Sequence, residues 1–149
     1  MDDYARRGLF RGFNKRPARA GVATFDLVWH YDLNFQLVAD TKTKTVSIPI
    51  ALPRLPARSW LYRDFKAFVK SRHSSALPDH RRIDKAKAHV RCAKRRGDVA
   101  LTAAVKDGDY EYALQRLIHL VHETFLLFLV ENYYREYLVD CLGAKDSIG

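Results

Sequence analysis

The sequence predicts an α+β domain, namely a mainly antiparallel five-stranded sheet in the order β-β-β-α-β-β-α, with helices packed on one face and a long C-terminal helix. Three observations support this prediction. Apolar and polar residues alternate over 24–52 and again over 88–105, as they do in half-buried strands. Apolar residues recur at helical spacing over 61–69. A run without Gly or Pro extends from 110 to 142. The 149 residues suffice for one domain with a real core.

Residues 1–20 are predicted to form a basic, flexible N-terminal arm. They carry six basic and two acidic side chains. Their apolar pattern is thin, with Tyr4, Leu9, Phe10 and Phe13 at irregular spacing. We therefore expect a single α+β domain over 21–143, preceded by this arm and followed by a C-terminal tail over 144–149.

The segment 24–40 has an apolar residue at every odd position from Phe25 to Ala39. A single strand of that length would span roughly 50 Å, which exceeds the usual strand length in small domains. One long bent strand and a hairpin both fit the alternation. We favour a hairpin on a five-residue loop, His30–Asn34, because Asp and Asn are turn formers. This hairpin would pair Trp29 with Phe35, Leu27 with Leu37 and Phe25 with Ala39.

The third strand follows a second turn, where the apolar set moves to even positions between Val46 and Leu52. A two-residue turn at Lys42–Thr43 accounts for this change and would set Leu37 opposite Ile48. Pro49 has no N–H to give to a strand neighbour, so this strand should have an edge or a bulge there.

A helix and a second hairpin are predicted next. The helix begins after Pro56 and presents one apolar face at helical spacing. That face consists of Leu61, Phe65, Phe68 and Val69. Two alternating segments follow, and Arg96–Gly97 between them suits a two-residue turn because Gly accepts a positive φ. This turn would place Val90 opposite Ala103 and Cys92 opposite Leu101.

The C-terminal helix is expected to begin at the N-cap Asp109 and to end at Gly143. It would be more than thirty residues long, or roughly 50 Å. Its middle, 125–130, is apolar all round, and such a helix is buried all round. We therefore expect a second copy of the chain to cover it, as a homodimer. The expected interface residues are Phe125, Leu126, Leu129, Val130, Tyr133 and Tyr134.

The net charge of +9 is unevenly placed. Residues 54–96 carry fourteen basic and three acidic side chains, whereas residues 97–149 carry four and nine. We call the basic patch the set Arg81, Arg82, Lys85, Lys87, His89, Arg91, Lys94, Arg95 and Arg96. It could neutralise the phosphates of a nucleic acid, hold an acidic protein segment, or be a solvated surface. No aromatic residues interleave with it, which disfavours stacked single-stranded bases.

The chain shows no catalytic or metal-binding motif. There is no Gly-x-Ser-x-Gly and no glycine-rich phosphate loop. His119, His122 and Glu123 lie close on one helix, but zinc hydrolase helices place their histidines four residues apart with a Glu between them. We therefore predict a non-enzymatic protein with no cofactor, no metal and no catalytic residues.

The spacing of the cysteines and the lengths of the apolar segments predict the cellular compartment and whether the chain contacts a membrane. Cys92 and Cys141 follow no metal or redox spacing, which favours a reducing, cytoplasmic setting. The N-terminus lacks the apolar segment of a signal peptide. The longest apolar run, at 125–130, is far below the ~18 residues of a membrane span. We expect no membrane partner.

The C-terminal half resembles YbjN-like proteins. The matching stretches are "HVRCAKRRGDVALTAAVKDG" at 89–108, a strand hairpin, and "YALQRLIHLVHETF" at 112–125, a helix. The resemblance covers roughly residues 40–130, and the order of strands and helices also resembles the type III secretion chaperone-like fold to which that family belongs. The resemblance implies no functional residue.

The resemblance implies a binding role. Secretion chaperones bind extended segments of partner proteins and commonly form dimers, and YbjN-like proteins are described as regulators. We therefore expect a regulatory or chaperone-like homodimer that recognises a protein segment at a sheet edge or groove. The alternative is a protein that binds the phosphate backbone of nucleic acid through residues 81–96.

Overall fold

A computed structural model describes residues 12–15, 20–29, 33–55, 60–79, 81–129 and 137. The strands are β1 Gly12–Lys15, β2 Val22–Trp29, β3 Leu33–Asp40, β4 Thr45–Leu52, β5 Ala88–Arg95 and β6 Asp98–Val105. The helices are α1 Leu61–Ser71 and α2 Tyr110–Glu123, and α2 continues into a π-helical turn at Thr124–Phe128. The predicted α+β class with a long C-terminal helix is confirmed.

The strands form one antiparallel sheet in the order β1-β2-β3-β4-β6-β5. The strand β5 is therefore an edge, although β6 follows it in sequence and joins it to the middle of the sheet. Helix α1 packs against β5, and α2 packs against β4, β5 and β6. No helix in the described part of the chain packs on the opposite face of the sheet, which we call the open face.

The sheet has a sixth strand that was not predicted. Gly12–Lys15 pairs with β2, with Phe13 opposite Leu27. This strand lies inside the segment that was predicted as a flexible arm, so the arm prediction is wrong for these four residues. A strand of four residues is too short for alternation to be visible in a basic sequence. The rest of the predicted arm that precedes residue 20, and the predicted tail, lie outside the described residues.

The hairpin over 24–40 is confirmed, but its predicted register was wrong. Leu27 lies opposite Phe35 and Phe25 opposite Leu37, so the whole ladder is shifted by two residues. The strands end at Trp29 and begin again at Leu33. A three-residue connection conserves the alternation as well as a five-residue one does, because the side-chain period of a strand is two.

The other two hairpins agree with the predicted registers. Ala39 pairs with Val46. This is the register predicted between the second and third strands, in which Leu37 is opposite Ile48. Val90 pairs with Ala103 and Cys92 with Leu101, across a turn in which both Arg96 and Gly97 have positive φ. These two φ values, 52° and 84°, are those of a type I′ turn.

The strand β4 carries the irregularity predicted at Pro49. Its register against β6 shifts between Ile48 and Leu52, where Pro49 cannot donate to the ladder. Ile50 is left 45% exposed at this point, while Ala51 and Leu52 return to the core.

The core lies between the sheet and the helices. Phe65 of α1 packs against Phe128, with ring centroids 5.4 Å apart, and Phe125 meets Phe35 edge to face at 6.1 Å. The helix N-cap is Asp109, as predicted, and its carboxylate accepts from the N–H of Tyr112 at 3.0 Å. The π-helical turn begins where the Thr124 hydroxyl donates to the Leu120 carbonyl. A hydroxyl bonded in this way competes for the helical acceptor.

The end of the predicted C-terminal helix at Gly143 lies outside the described residues. Tyr137, which is described, is buried, and its hydroxyl donates to the Pro53 carbonyl at 2.6 Å. In the described part of the chain, no helix is both long enough and apolar enough to cross a membrane.

Candidate functional site: the basic edge at strand β5

The outer edge of β5 is partly closed by the chain itself. The N–H of Val90 donates to His73 Nε2 at 3.0 Å, and the N–H of Ala88 donates to the Asp84 carbonyl at 3.0 Å. Successive N–H groups of a strand point to opposite sides. The N–H groups of Cys92 and Lys94 therefore face the same edge, and neither donates to another residue among those described. The edge is open at these two positions.

His73 is the side chain that closes the edge at Val90. It follows α1 and is 6% exposed. Its Nδ1 lies 3.1 Å from the Val69 carbonyl. That carbonyl can only accept, so Nδ1 carries the proton and Nε2 is left as the acceptor for Val90. Burial lowers the pKa of His73 below its ordinary value, and the charges of His89 and Lys85 lower it further.

A groove of about 300 Å³ runs between α1 and the open edge of β5. Its apolar floor contains Val69, Val90 and Cys92. Four basic side chains line it, namely Lys66, Lys70, Lys85 and Arg91, together with the imidazoles of His73 and His89. No acidic side chain lines it in the described part of the chain. We call this feature the basic groove, and its chemistry suits a chain with acidic side chains.

Cys92 contributes a small apolar surface to this floor. Burial raises the pKa of its thiol above the ordinary value, and the charge of Lys66 offsets only part of that effect. A thiol held in the protonated form is a poor nucleophile. It packs against the core as a small hydrophobic side chain does.

Three members of the predicted basic patch are engaged within the chain. Arg81 lies 3.4 Å from Glu123, and Arg82 lies 2.6 Å from Asp79. Lys87 contacts Asp109 at 2.9 Å and Asp107 at 3.3 Å. The hydrogen bond from Lys87 lowers the pKa of Asp109 and, reciprocally, raises that of Lys87. These three cations therefore form ion pairs within the fold.

The other six members of the patch form no ion pair with any described residue. Lys85, His89 and Arg91 line the basic groove. Lys94, Arg95 and Arg96 are exposed at the β5–β6 turn. The structure therefore separates the patch into residues tied to the body of the fold and residues that border the open edge.

The sequence did not identify Lys66, Lys70 and His73 as part of this site. The two lysines lie on the polar face of α1, which is an ordinary solvent-facing pattern. Their role depends on the packing of α1 beside β5. His73 follows α1 without any local motif, so no sequence signal connects it to Val90.

The predicted dimer positions are divided as well. Phe125 and Leu129 are buried in the chain's own core, whereas Leu126 is 52% exposed. Val130, Tyr133 and Tyr134 lie outside the described residues. The homodimer stays a prediction. Of the predicted interface residues that the structure describes, Leu126 is the exposed one.

The histidines His119 and His122 on α2 are not part of a metal-binding cluster among the described residues. Among the described residues, no three His, Cys, Asp or Glu side chains are grouped to hold a metal ion. Glu123, which borders the pair, accepts from Arg72 at 2.8 Å, and both side chains are only 15% exposed. Burial, followed by the charge of Arg116, lowers the pKa of His119.

The chain matches no protein-family model, no curated protein and no solved structure. The resemblance to YbjN-like proteins and secretion chaperones therefore stays a prediction. The basic groove and the open edge of β5 are the features of the chain that bear on its function.

Proposed function

We propose that the protein binds an extended, acidic segment of another protein, which adds as a further strand to the edge of β5. The role is regulatory or chaperone-like and non-enzymatic, as the resemblance to YbjN-like proteins implies. The observation that carries this proposal is the coincidence of open backbone positions at Cys92 and Lys94 with the basic groove beside them.

The mode of binding follows from the geometry of an edge strand. In strand addition, main-chain hydrogen bonds give affinity and alternate side chains give specificity. Cys92 and Lys94 each offer one N–H and one carbonyl to an added strand. Alternate side chains of that strand would point to the two faces of the sheet, one towards Lys66 and Lys70 and the other towards Arg91. Acidic side chains are favoured on both faces.

The direct test is binding of a capped, labelled octapeptide of alternating Glu and Val, measured by fluorescence anisotropy. A peptide of alternating Lys and Val is the matched probe of opposite charge. We expect the acidic peptide to bind at least tenfold more tightly. Equal binding of the two peptides would contradict the proposal.

Two substitutions at one position separate charge from backbone pairing. Lys94→Ala removes a cation, and Lys94→Pro removes the same cation together with the N–H that faces the open edge. That N–H does not serve the ladder to β6, so proline is tolerated at this edge. We expect Lys94→Ala to weaken the acidic peptide severalfold and Lys94→Pro to abolish its binding. If both variants bind equally, strand addition is wrong.

The groove itself is tested by Lys66→Gln and Lys70→Gln, with Lys42→Gln as the control. Lys42 is an exposed cation in the β3–β4 turn, away from β5. We expect the groove variants to weaken the acidic peptide and the control to leave it unchanged. A uniform loss in all three variants would indicate a general charge effect.

The alternative function is binding to the phosphate backbone of nucleic acid. Five lysine and arginine side chains of the patch form no ion pair with any described residue, and they support it. Affinity for a DNA duplex would then fall steeply with ionic strength, because binding releases counterions. The absence of any DNA binding at low salt would exclude it.

We also propose that the protein acts as a homodimer, as expected from the apolar segment 125–130. The exposed side chain of Leu126 supports this proposal. The test is the mass of the protein in solution, which should be that of two chains.

A further inference from the structure

A hollow of about 160 Å³ lies where β4, β6 and β5 run side by side. It is lined by residues from all three strands, and two of these residues, Arg91 and Cys92, also line the basic groove. The residues that define it are Ser47, Arg91, Ala93, Arg95, Ala100 and Thr102. Its volume exceeds the roughly 10–15 Å³ that a cavity needs to hold one water molecule by a wide margin, so a tetrahedral oxyanion fits.

The floor of the hollow follows from the strand registers. Thr102 lies directly opposite Ser47 on one side and Arg91 on the other, so these three residues form one row across the sheet. In the next row Ala93 lies opposite Ala100. Both of these side chains end at Cβ, so the surface of the sheet lies lower there than beside the longer side chains of the neighbouring row. Two hydroxyl groups and one guanidinium therefore border a depression lined by methyl groups.

A second guanidinium closes the hollow along β5. Arg91 and Arg95 are four residues apart on the same side of the strand, with Cα atoms about 13 Å apart. Ala93 between them leaves the space above it free. Neither arginine pairs with a described carboxylate. Asp98 is opposite Arg95, but its Oδ1 accepts from the backbone N–H of Arg54 at 2.9 Å.

The two hydroxyls are available as donors. Neither Ser47 nor Thr102 makes a side-chain hydrogen bond to another described residue. Each hydroxyl can donate one hydrogen and can rotate to suit a ligand. The hollow therefore offers donors from four side chains, and none of the described residues that line it is acidic.

We propose that this hollow binds the phosphoryl group of a small molecule, either inorganic phosphate or a phosphate monoester. The planar fork of a guanidinium matches two phosphate oxygens at once, and two such forks match a dianion. Ser47 and Thr102 donate to the remaining oxygens. An internal phosphodiester carries a single charge and has two blocked oxygens, so it is the poorer ligand. This site does not depend on the peptide-binding proposal.

The test is isothermal titration calorimetry with inorganic phosphate, phenyl phosphate and dimethyl phosphate at constant ionic strength. We expect the first two to bind and dimethyl phosphate, a monoanionic diester, to bind at least tenfold more weakly. Binding of phosphate but not of phenyl phosphate would assign the site to the free ion, and the reverse would assign it to a monoester. Equal binding of all three, or no binding at millimolar concentrations, would overturn the proposal.

Substitutions locate the site. We expect Arg91→Gln and Arg95→Gln each to weaken phosphate binding about tenfold or more, and Ser47→Ala and Thr102→Val to weaken it severalfold. Lys94→Gln is the matched control, because it removes the same charge next to Arg95 from the other face of the strand. It should change affinity less than twofold. If Lys94→Gln weakens binding as much as Arg95→Gln does, general positive potential explains the binding and the hollow does not.

Discussion

The backbone N–H of Val90 donates to Nε2 of His73, at 3.0 Å, on the outer edge of the sheet. A side chain thus occupies a position that a neighbouring strand would otherwise take. It does so only while the imidazole is neutral, because a protonated ring has no acceptor nitrogen. The length of open edge on β5 is therefore connected to the protonation state of one residue.

We predict that the protein loses stability as pH falls below the ordinary pKa of histidine, about 6.5. The pKa of His73 is lowered in the folded state, so the unfolded state takes up a proton first. The stabilisation is complete above pH 6.5 and is lost as pH falls through the lowered pKa. Urea unfolding measured at several pH values between 7.5 and 4.5 tests this expectation.

Two variants assign that pH dependence. His73→Gln retains a carbonyl acceptor for Val90 but does not titrate, so we expect a flatter pH profile. His89→Gln removes a charge that lowers the pKa of His73. The folded-state pKa should then lie closer to the unfolded-state value, so the total loss of stability on acidification should be smaller. Lys85, Lys66 and Lys70 border the same groove. A wild-type profile that is already flat in this pH range would contradict the prediction.

We predict that Glu123→Gln destabilises the protein by about 1.5–3 kcal/mol, because hydrogen bonds to charged groups contribute this much. Glu123 holds Arg72 after α1 and Arg81 before β5 onto α2. The control is Asp79→Asn, which breaks the exposed pair with Arg82. An exposed pair contributes about 0–1 kcal/mol. Equal losses by urea unfolding would show that Glu123 has no special structural role.

We predict that Gly97→Ala destabilises the β5–β6 hairpin by about 1–2 kcal/mol, the cost of a left-handed backbone for a residue with Cβ. Gly97 has φ 84°, and a Cβ added there would meet no atom within 4 Å. The cost is therefore conformational and not steric. Gly97→Asn is the control, because Asn tolerates this conformation. Thermal unfolding should place Asn between Gly and Ala, and any other ranking would contradict the argument.

We predict a dimeric mass for the wild-type chain by light scattering at high concentration. Leu126→Asp should give a monomer, because a charge at a buried apolar contact is strongly unfavourable. Ile50→Asp is the matched control, since Ile50 is similarly exposed but lies at the β4 irregularity. A monomeric wild type would refute the homodimer, and loss of the dimer in both variants would exclude a specific role for Leu126.

Local chemistry explains which registers could be predicted. The pairing of Val90 with Ala103 follows from Arg96–Gly97, because a two-residue turn fixes the register of its strands. The β2–β3 pairing could not be fixed in this way. Its loop has no comparable turn sequence, and alternation permits any shift by an even number of residues.

Only part of the candidate site could be predicted from the sequence, and the reason differs from that for the strand registers. Arg91 and His89 share one face of β5 by simple alternation, so the sequence indicated them. Lys66 belongs to the site only because β5 is the outermost strand and α1 lies against it. The strand order β4-β6-β5 arises from pairings between distant parts of the chain, which no local pattern encodes.

The junction of β4 with β6 has a consequence for how the chain folds. On the N-terminal side, β1 to β4 pair consecutively through short connections, and β5 with β6 forms a hairpin of its own. Only the β4–β6 ladder joins these two units among the described strands, and Pro49 interrupts it. Closing a long loop costs entropy before distant contacts can compensate. We therefore expect the two units to form early and their docking across this junction to limit the rate of folding.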